Sequence, residues 1–113
     1  MAITIYHNPR CSKSRQTLAL IEEKGITPTI VEYLKDSPSQ SALKDILSKL
    51  GVPPGDIVRK KEAKEAGLDI ASMTDTAIIK AMAEHPTIIE RPIVVAGNKA
   101  VMGRPPENVL DLL

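Results

Sequence analysis

The stretch that decides the fold reads ITIYHNPRCSKSRQTLALI, over residues 3–21. Its first part, Ile3 to Tyr6, is short and β-prone, and the turn-forming run His7-Asn8-Pro9 follows, as is typical of a strand that enters a loop. The hydrophobic spacing then becomes helical, and Gly25 is placed to end that helix. The sequence therefore predicts that Cys11 lies at a helix N-terminus.

The rest of the chain shows similar local signals. Thr29 to Leu34 predicts a second strand, parallel to the first. Two helices capped by Ser39 and Thr74 follow, with short helical turns from Pro53 to Leu68 between them. The sequence therefore predicts a helical section after the β-α-β unit.

The last third returns to strands. Ile93–Val95 and Ala100–Met102 flank Gly97-Asn98, a pair suited to a two-residue hairpin turn. A closing helix is predicted to begin at Pro105-Pro106. Its expected buried residues are Val109, Leu110 and Leu113.

This order of elements predicts an α/β fold. A β-α-β unit followed by a β-β-α unit is the pattern of a thioredoxin/glutaredoxin-like core, here with a helical insert between the second and third strands. A chain of 113 residues fits one domain, so we expect a single domain over residues 1–113 with the insert at about residues 39–85.

The composition excludes several classes of protein. Fifteen Lys and Arg balance fourteen Asp and Glu, and the two tyrosines are the only aromatic residues, which argues against nucleic-acid binding by bulk charge or base stacking. No apolar run approaches the ~20 residues that span a bilayer, and the N-terminus does not resemble a signal peptide. We expect a cytoplasmic protein with no nucleic-acid and no membrane partner.

Cys11 is the single cysteine. An internal disulfide, an internal CxxC dithiol and a multi-cysteine zinc site are therefore excluded. At a helix N-terminus, free N–H groups stabilise a thiolate, a protonated His7 would add positive charge, and the Ser14 hydroxyl could donate to the sulfur. The alternatives are a buried structural thiol for Cys11, a turn histidine for His7 and an ordinary first-turn residue for Ser14.

Two motifs resemble the glutaredoxin-dependent arsenate reductase family. The run HNPRCSKSRQTL at residues 7–18 is similar to that family's HNPxCxxSRxTL loop, and RPIVV at residues 91–95, followed by Gly103-Arg104-Pro105, looks like its second signature. The motifs occur in the family's order and span nearly the whole chain. The resemblance implies a thioredoxin-like fold, reduction of arsenate to arsenite, and a cis peptide bond before Pro92.

The resemblance also implies the site residues. Cys11 would be the nucleophile, with Arg91, Arg104 and, by its spacing from Gly51, Arg59 as the oxyanion ligands. Arginine suits this role because its planar fork stays charged and bonds two oxygens at once. The family further implies arsenate as substrate, glutathione as co-substrate and glutaredoxin as partner, with no bound cofactor and no metal. Arg10, Lys13 and Arg15 are interpreted as solvated or as supports of the loop.

Other functions stay open. Ser12-Lys13 stands where the family commonly has Gly-Thr, so the protein could act on another oxyanion or on a glutathione mixed disulfide. The Spx-type regulators that bind RNA polymerase are related, although Ser14 at the position of their second cysteine counts against a disulfide sensor. A catalytically inactive relative is the third alternative, and it predicts that Cys11 titrates as an ordinary thiol.

Overall fold

The chain divides into two compact units. The computed structural model describes residues 2–113, and its first unit comprises the chain up to Asp36 together with Arg91–Leu113. The second unit is Ser37–Glu90. The expectation of a single domain stays a prediction.

The first unit is built on a four-stranded sheet. Its elements are β1 (Ile3–His7), α1 (Ser12–Glu23), β2 (Thr29–Glu32), β3 (Ile93–Ala96) and β4 (Lys99–Met102). The strand order is β2-β1-β3-β4, with β1 parallel to β2 and antiparallel to β3, and β3 antiparallel to β4. The predicted α/β class and the predicted parallel pair are confirmed, although β2 ends two residues before Leu34.

A small apolar core supports this sheet. Ile3 and Ile5 alternate with half-buried residues along β1, and they pack in one cluster with Ile21 of α1 and Val94 of β3. The hairpin between β3 and β4 turns at Gly97, whose φ of +61° fits a glycine in the first central position of such a turn. This hairpin matches the prediction.

The closing helix differs from the prediction. It is a 3₁₀ helix, Pro106–Leu112, rather than an α-helix. In a 3₁₀ helix the side chains at i and i+3 eclipse, so Pro106, Val109 and Leu112 share the buried face. Leu110 is 41% exposed, and its predicted burial is therefore wrong. Leu113 packs against the core while only partly buried.

The second unit contains the helical elements. They are α2 (Gln40–Leu50), α3 (Lys60–Glu65) and α4 (Asp75–Glu84), with 3₁₀ turns at Pro54–Ile57, Ile70–Ser72 and Pro86–Ile88. The hydroxyls of Ser39 and Thr74 accept the backbone N–H groups of Ala42 and Ala77, at 3.1 and 3.2 Å, so both predicted caps are confirmed. Within residues 2–113, no helix is long and apolar enough to cross a membrane.

Candidate active site

Cys11 begins the first helix, as predicted. It is the N-cap of α1, with extended backbone angles, and its carbonyl accepts the Arg15 N–H at 3.0 Å. Its own N–H donates to the Asn8 carbonyl at 3.0 Å, which closes the loop that leaves β1. Cys11 is buried, with 8% of the residue exposed.

The surroundings of Cys11 favour its thiolate. Burial raises the pKa of the thiol, but hydrogen bonds from the Ser14 backbone N–H and the Arg91 side chain, the charge of Arg91 and the Lys13 N–H together lower that pKa below its usual value. Two of these donors are main-chain N–H groups in the first turn of α1. Cys11 therefore carries more thiolate near neutral pH than an ordinary cysteine does.

Two of the three predicted arginines meet at this sulfur. Arg104 Nη2 lies 3.6 Å from Cys11 Sγ, and Arg104 Nε donates to the Arg91 carbonyl at 2.6 Å. The bond Arg91-Pro92 is cis, as predicted, and Arg104-Pro105 is also cis, which was not predicted. The Gly103 N–H donates to the Pro92 carbonyl at 2.9 Å, so backbone contacts join the two motifs.

His7 and Ser14 contact each other. His7 Nδ1 lies 2.6 Å from Ser14 Oγ, and that oxygen also accepts the Asn8 N–H at 3.1 Å. Burial lowers the pKa of His7, Glu32 raises it and Arg15 lowers it, with a net decrease from 6.5. The role of His7 in tuning the thiolate stays a prediction. Ser14 lowers the pKa of the thiol through its backbone N–H, while its hydroxyl contacts His7 and Asn8.

Arg59 is placed in the second unit. It precedes α3, and its guanidinium lies 3.2 Å from a Glu62 carboxylate oxygen and 3.9 Å from a Glu90 carboxylate oxygen. These two carboxylates lower the net positive charge at that position. The role of Arg59 as a third oxyanion ligand stays a prediction.

The loop-supporting interpretation fits Arg15. Its Nη1 donates to the Pro9 carbonyl at 3.0 Å. Asn8 Oδ1 accepts the Arg10 N–H at 3.0 Å, which adds a second local tie. Among residues 2–113, no three His, Cys, Asp or Glu side chains are grouped closely enough to hold a metal ion.

One residue near the site was missed by the sequence analysis. Tyr33 is 1% exposed, and its side chain lies near that of Arg91, whose pKa it raises. It directly follows Glu32, which pairs in register with His7 at the start of the loop. The position of Tyr33 just after β2 could have indicated that it lies near the Cys11 loop, because the C-terminal ends of neighbouring parallel strands lie at one edge of a sheet.

Comparison with known proteins gives consistent matches over the whole chain. The model of the ArsC family matches residues 6–112. A protein of Neisseria meningitidis named arsenate reductase is 49% identical, over 98% of this chain and 97% of its own length, and one of Haemophilus influenzae is 47% identical over 100% of both chains. A solved structure described as an arsenate reductase of Vibrio cholerae has a TM-score of 0.94 and 49% identity, covering 100% of this chain and 98% of its own. Since these matches include the thioredoxin-like fold and the segments that carry Cys11, Arg91 and Arg104, the chain belongs to the ArsC family.

Proposed function

We propose that the protein is a cytoplasmic arsenate reductase in which Cys11 is the nucleophile. The observation that carries this proposal is the position of the Cys11 sulfur, at the start of α1 and in hydrogen-bond range of the Arg91 and Arg104 side chains. The names of the Neisseria and Haemophilus relatives support arsenate as the substrate.

The oxyanion would bind where these positive groups converge. N–H groups in the first turn of a helix attract anions, and a guanidinium can donate two parallel hydrogen bonds to a tetrahedral oxyanion. Arg91 and Arg104 can therefore bind arsenate and neutralise the charge that the thiolate adds as it attacks. Arg59 is the proposed third ligand, and the carboxylates of Glu62 and Glu90 compete with the anion for its guanidinium.

The reaction begins with a covalent adduct. Cys11 thiolate attacks arsenic, a sulfur–arsenic bond forms, and one arsenic–oxygen bond breaks with loss of water after protonation. Arsenic is still As(V) at this stage. Because the chain contains no second cysteine, the electrons must come from external thiols.

Glutathione and glutaredoxin would supply those electrons. A glutathione thiol condenses on arsenic with loss of a second water, and a glutaredoxin thiolate then attacks the glutathione sulfur. A glutaredoxin–glutathione disulfide forms, the electron pair of the broken sulfur–arsenic bond reduces arsenic to As(III), and hydrolysis of the Cys11–arsenic bond releases arsenite. Cys11 returns as a thiol.

The test of the nucleophile is arsenate turnover with glutathione, glutaredoxin and glutathione reductase, followed as NADPH consumption. Cys11→Ser should abolish turnover, while Ser12→Ala, at the exposed neighbouring position, is the control that retains it. Equal rates for wild type and Cys11→Ser would refute the assignment. Turnover of wild type with a glutathione mixed disulfide but not with arsenate would instead support the alternative substrate.

The test of the oxyanion ligands compares arginine variants. Arg91→Ala and Arg104→Ala should each raise the KM for arsenate, whereas Arg10→Ala removes the same charge at an exposed loop position and should have a smaller effect. If all three variants change KM equally, the arginines act through general charge alone and the proposed ligand contacts are wrong.

A further inference from the structure

Asn108 is a half-buried residue that contacts the segment carrying Arg104. It lies in the closing 3₁₀ helix, Pro106–Leu112, outside both sequence motifs. Its side-chain nitrogen, Nδ2, lies 3.2 Å from the Met102 carbonyl oxygen and 3.1 Å from the Arg104 carbonyl oxygen. One amide group therefore bridges the end of β4 and the residue that contacts the Cys11 sulfur.

The chemistry of the amide decides which of its two ends faces these carbonyls. A carbonyl oxygen only accepts hydrogen bonds, so the NH2 group of Asn108, rather than its Oδ1, must point toward both partners. That group has two N–H donors, and each carbonyl takes one of them. Both donors of Asn108 are therefore used on residues 102–104, which we call the Arg104 segment.

The backbone of Asn108 is anchored on the core of the first unit. Its N–H donates to the Pro105 carbonyl at 3.0 Å. The next residue, Val109, is 0% exposed and packs in the cluster that supports the sheet. A supporting side chain orients its partners best when its own backbone is rigid. The closing helix therefore presents the amide from a fixed position.

The pose of the Arg104 side chain depends on the position of its backbone. Arg104 is exposed, its Nη2 lies 3.6 Å from Cys11 Sγ, and its Nε donates to the Arg91 carbonyl at 2.6 Å. A long, flexible side chain loses conformational entropy when it is held in one such pose. Fixing the Arg104 backbone reduces the number of poses that compete with this one.

We propose that Asn108 is a positioning residue for Arg104: its amide holds the carbonyls of Met102 and Arg104 so that the guanidinium is directed at the Cys11 sulfur and at the bound oxyanion. The part that concerns the oxyanion rests on the proposed function. The part that concerns the sulfur holds for the protein without substrate.

The rate of Cys11 alkylation against pH, measured without arsenate, tests the part that concerns the sulfur. Asn108→Ala removes both donors, and Asn98→Ala is the matched change at the exposed asparagine of the hairpin turn. Asn108→Ala should move the midpoint of the profile to higher pH by up to about one unit, which corresponds to one ordinary hydrogen bond. No shift in Asn108→Ala, or an equal shift in Asn98→Ala, would overturn the proposal.

A second variant separates the hydrogen bonds from the volume of the side chain. Leucine branches at the same carbon as asparagine but has no donor, so Asn108→Leu should shift the alkylation midpoint in the same direction as Asn108→Ala. A wild-type midpoint in Asn108→Leu would show that packing, rather than the amide, holds the Arg104 segment, and it would overturn the proposal.

The Arg104→Ala background tests whether the effect passes through the guanidinium. In that background Asn108→Ala should cause no further shift of the midpoint, and an equal shift in both backgrounds would overturn the proposal. In turnover assays Asn108→Ala should raise the KM for arsenate roughly two- to tenfold, and an unchanged KM would refute the part that concerns the oxyanion. The expected alkylation results together with absent arsenate turnover in wild type would count against the proposed function and support the positioning of Arg104 at the sulfur.

Discussion

Gly103 precedes Arg104 at a point of very close packing. A Cβ added to Gly103 would lie 2.6 Å from Thr17 Oγ1, 2.8 Å from Pro92 Cγ and 3.0 Å from Thr17 Cγ2. Both neighbours are stiff, since threonine is β-branched and the proline ring fixes its own backbone angle. Thr17 is also fully buried and donates its hydroxyl to the Lys13 carbonyl at 2.8 Å. Gly103→Ala must therefore displace the side chains of Thr17 and Pro92 or the backbone of Gly103 itself.

The size of the effect follows from these overlaps. Overpacking a tight interior commonly costs about 1–3 kcal/mol, against a total stability of roughly 5–15 kcal/mol for a domain. We expect Gly103→Ala to lower the free energy of unfolding by about 1–3 kcal/mol and the melting temperature by about 4–12 °C. Because the segment after β4, which carries Arg104, must shift away from Thr17 and Pro92, the KM for arsenate should rise as well.

Urea unfolding of four variants, namely Gly103→Ala, Thr17→Ala, their double variant and Gly55→Ala, tests this expectation. Thr17→Ala removes two of the three overlapping atoms, so Gly103→Ala with Thr17→Ala should lose at least about 1 kcal/mol less than the sum of the single changes. Gly55→Ala is the control, since its added Cβ would meet only Ile70 Cγ2, at 4.0 Å. Additive losses in the double variant, or equal stability of Gly103→Ala and Gly55→Ala, would refute the packing argument.

Three further predictions concern charge, pH and packing. Arg104→Ala should shift the Cys11 alkylation profile to higher pH and raise the KM for arsenate about tenfold or more, because a positive group 3.6 Å from the sulfur is lost. The pKa of His7 is lowered from 6.5 in the folded state, so the unfolded state binds more protons as the pH falls. The free energy of unfolding measured in urea should therefore fall as the pH drops below 6.5, and His7→Asn should make this pH dependence weaker. Val109→Ala should cost about 2 kcal/mol in the same assay, and Leu110→Ala less than about 0.5 kcal/mol, because Val109 is 0% and Leu110 41% exposed.

Local sequence signals predicted the elements well. The turn at Pro9, the capping hydroxyl of Ser39 and the glycine that follows α1, Gly25, each act within a few residues, and the structure has all three where they were expected. The position of Cys11 at the start of α1 follows from the same kind of signal. Short-range chemistry therefore accounts for the loop that carries the thiol.

The features that the sequence did not predict correctly, or did not predict at all, depend on contacts between distant parts of the chain. An α-helical period predicts that Leu110 faces the core. The closing helix is a 3₁₀ helix instead, and Val109 packs in the core while Leu110 does not. The lowered pKa of His7 depends on its burial, which no local pattern reports. The place of Tyr33 beside the start of the Cys11 loop depends on the pairing of β1 with β2, which no local pattern reports.

The lowered pKa of Cys11 arises from groups whose own charge does not change near neutral pH. Burial opposes the thiolate, and the opposing donors are backbone N–H groups and guanidinium N–H groups. A histidine in that role would lose its positive charge as the pH rises, at the point where the thiol begins to ionise. Burial instead lowers the pKa of His7, and His7 contacts Ser14, whose backbone N–H is one of the donors. The reactivity of Cys11 therefore depends on the ionisation of the thiol itself, and the alkylation profile of wild type should follow a single titration. A second step between pH 5 and 7 that disappears in His7→Asn would contradict this account.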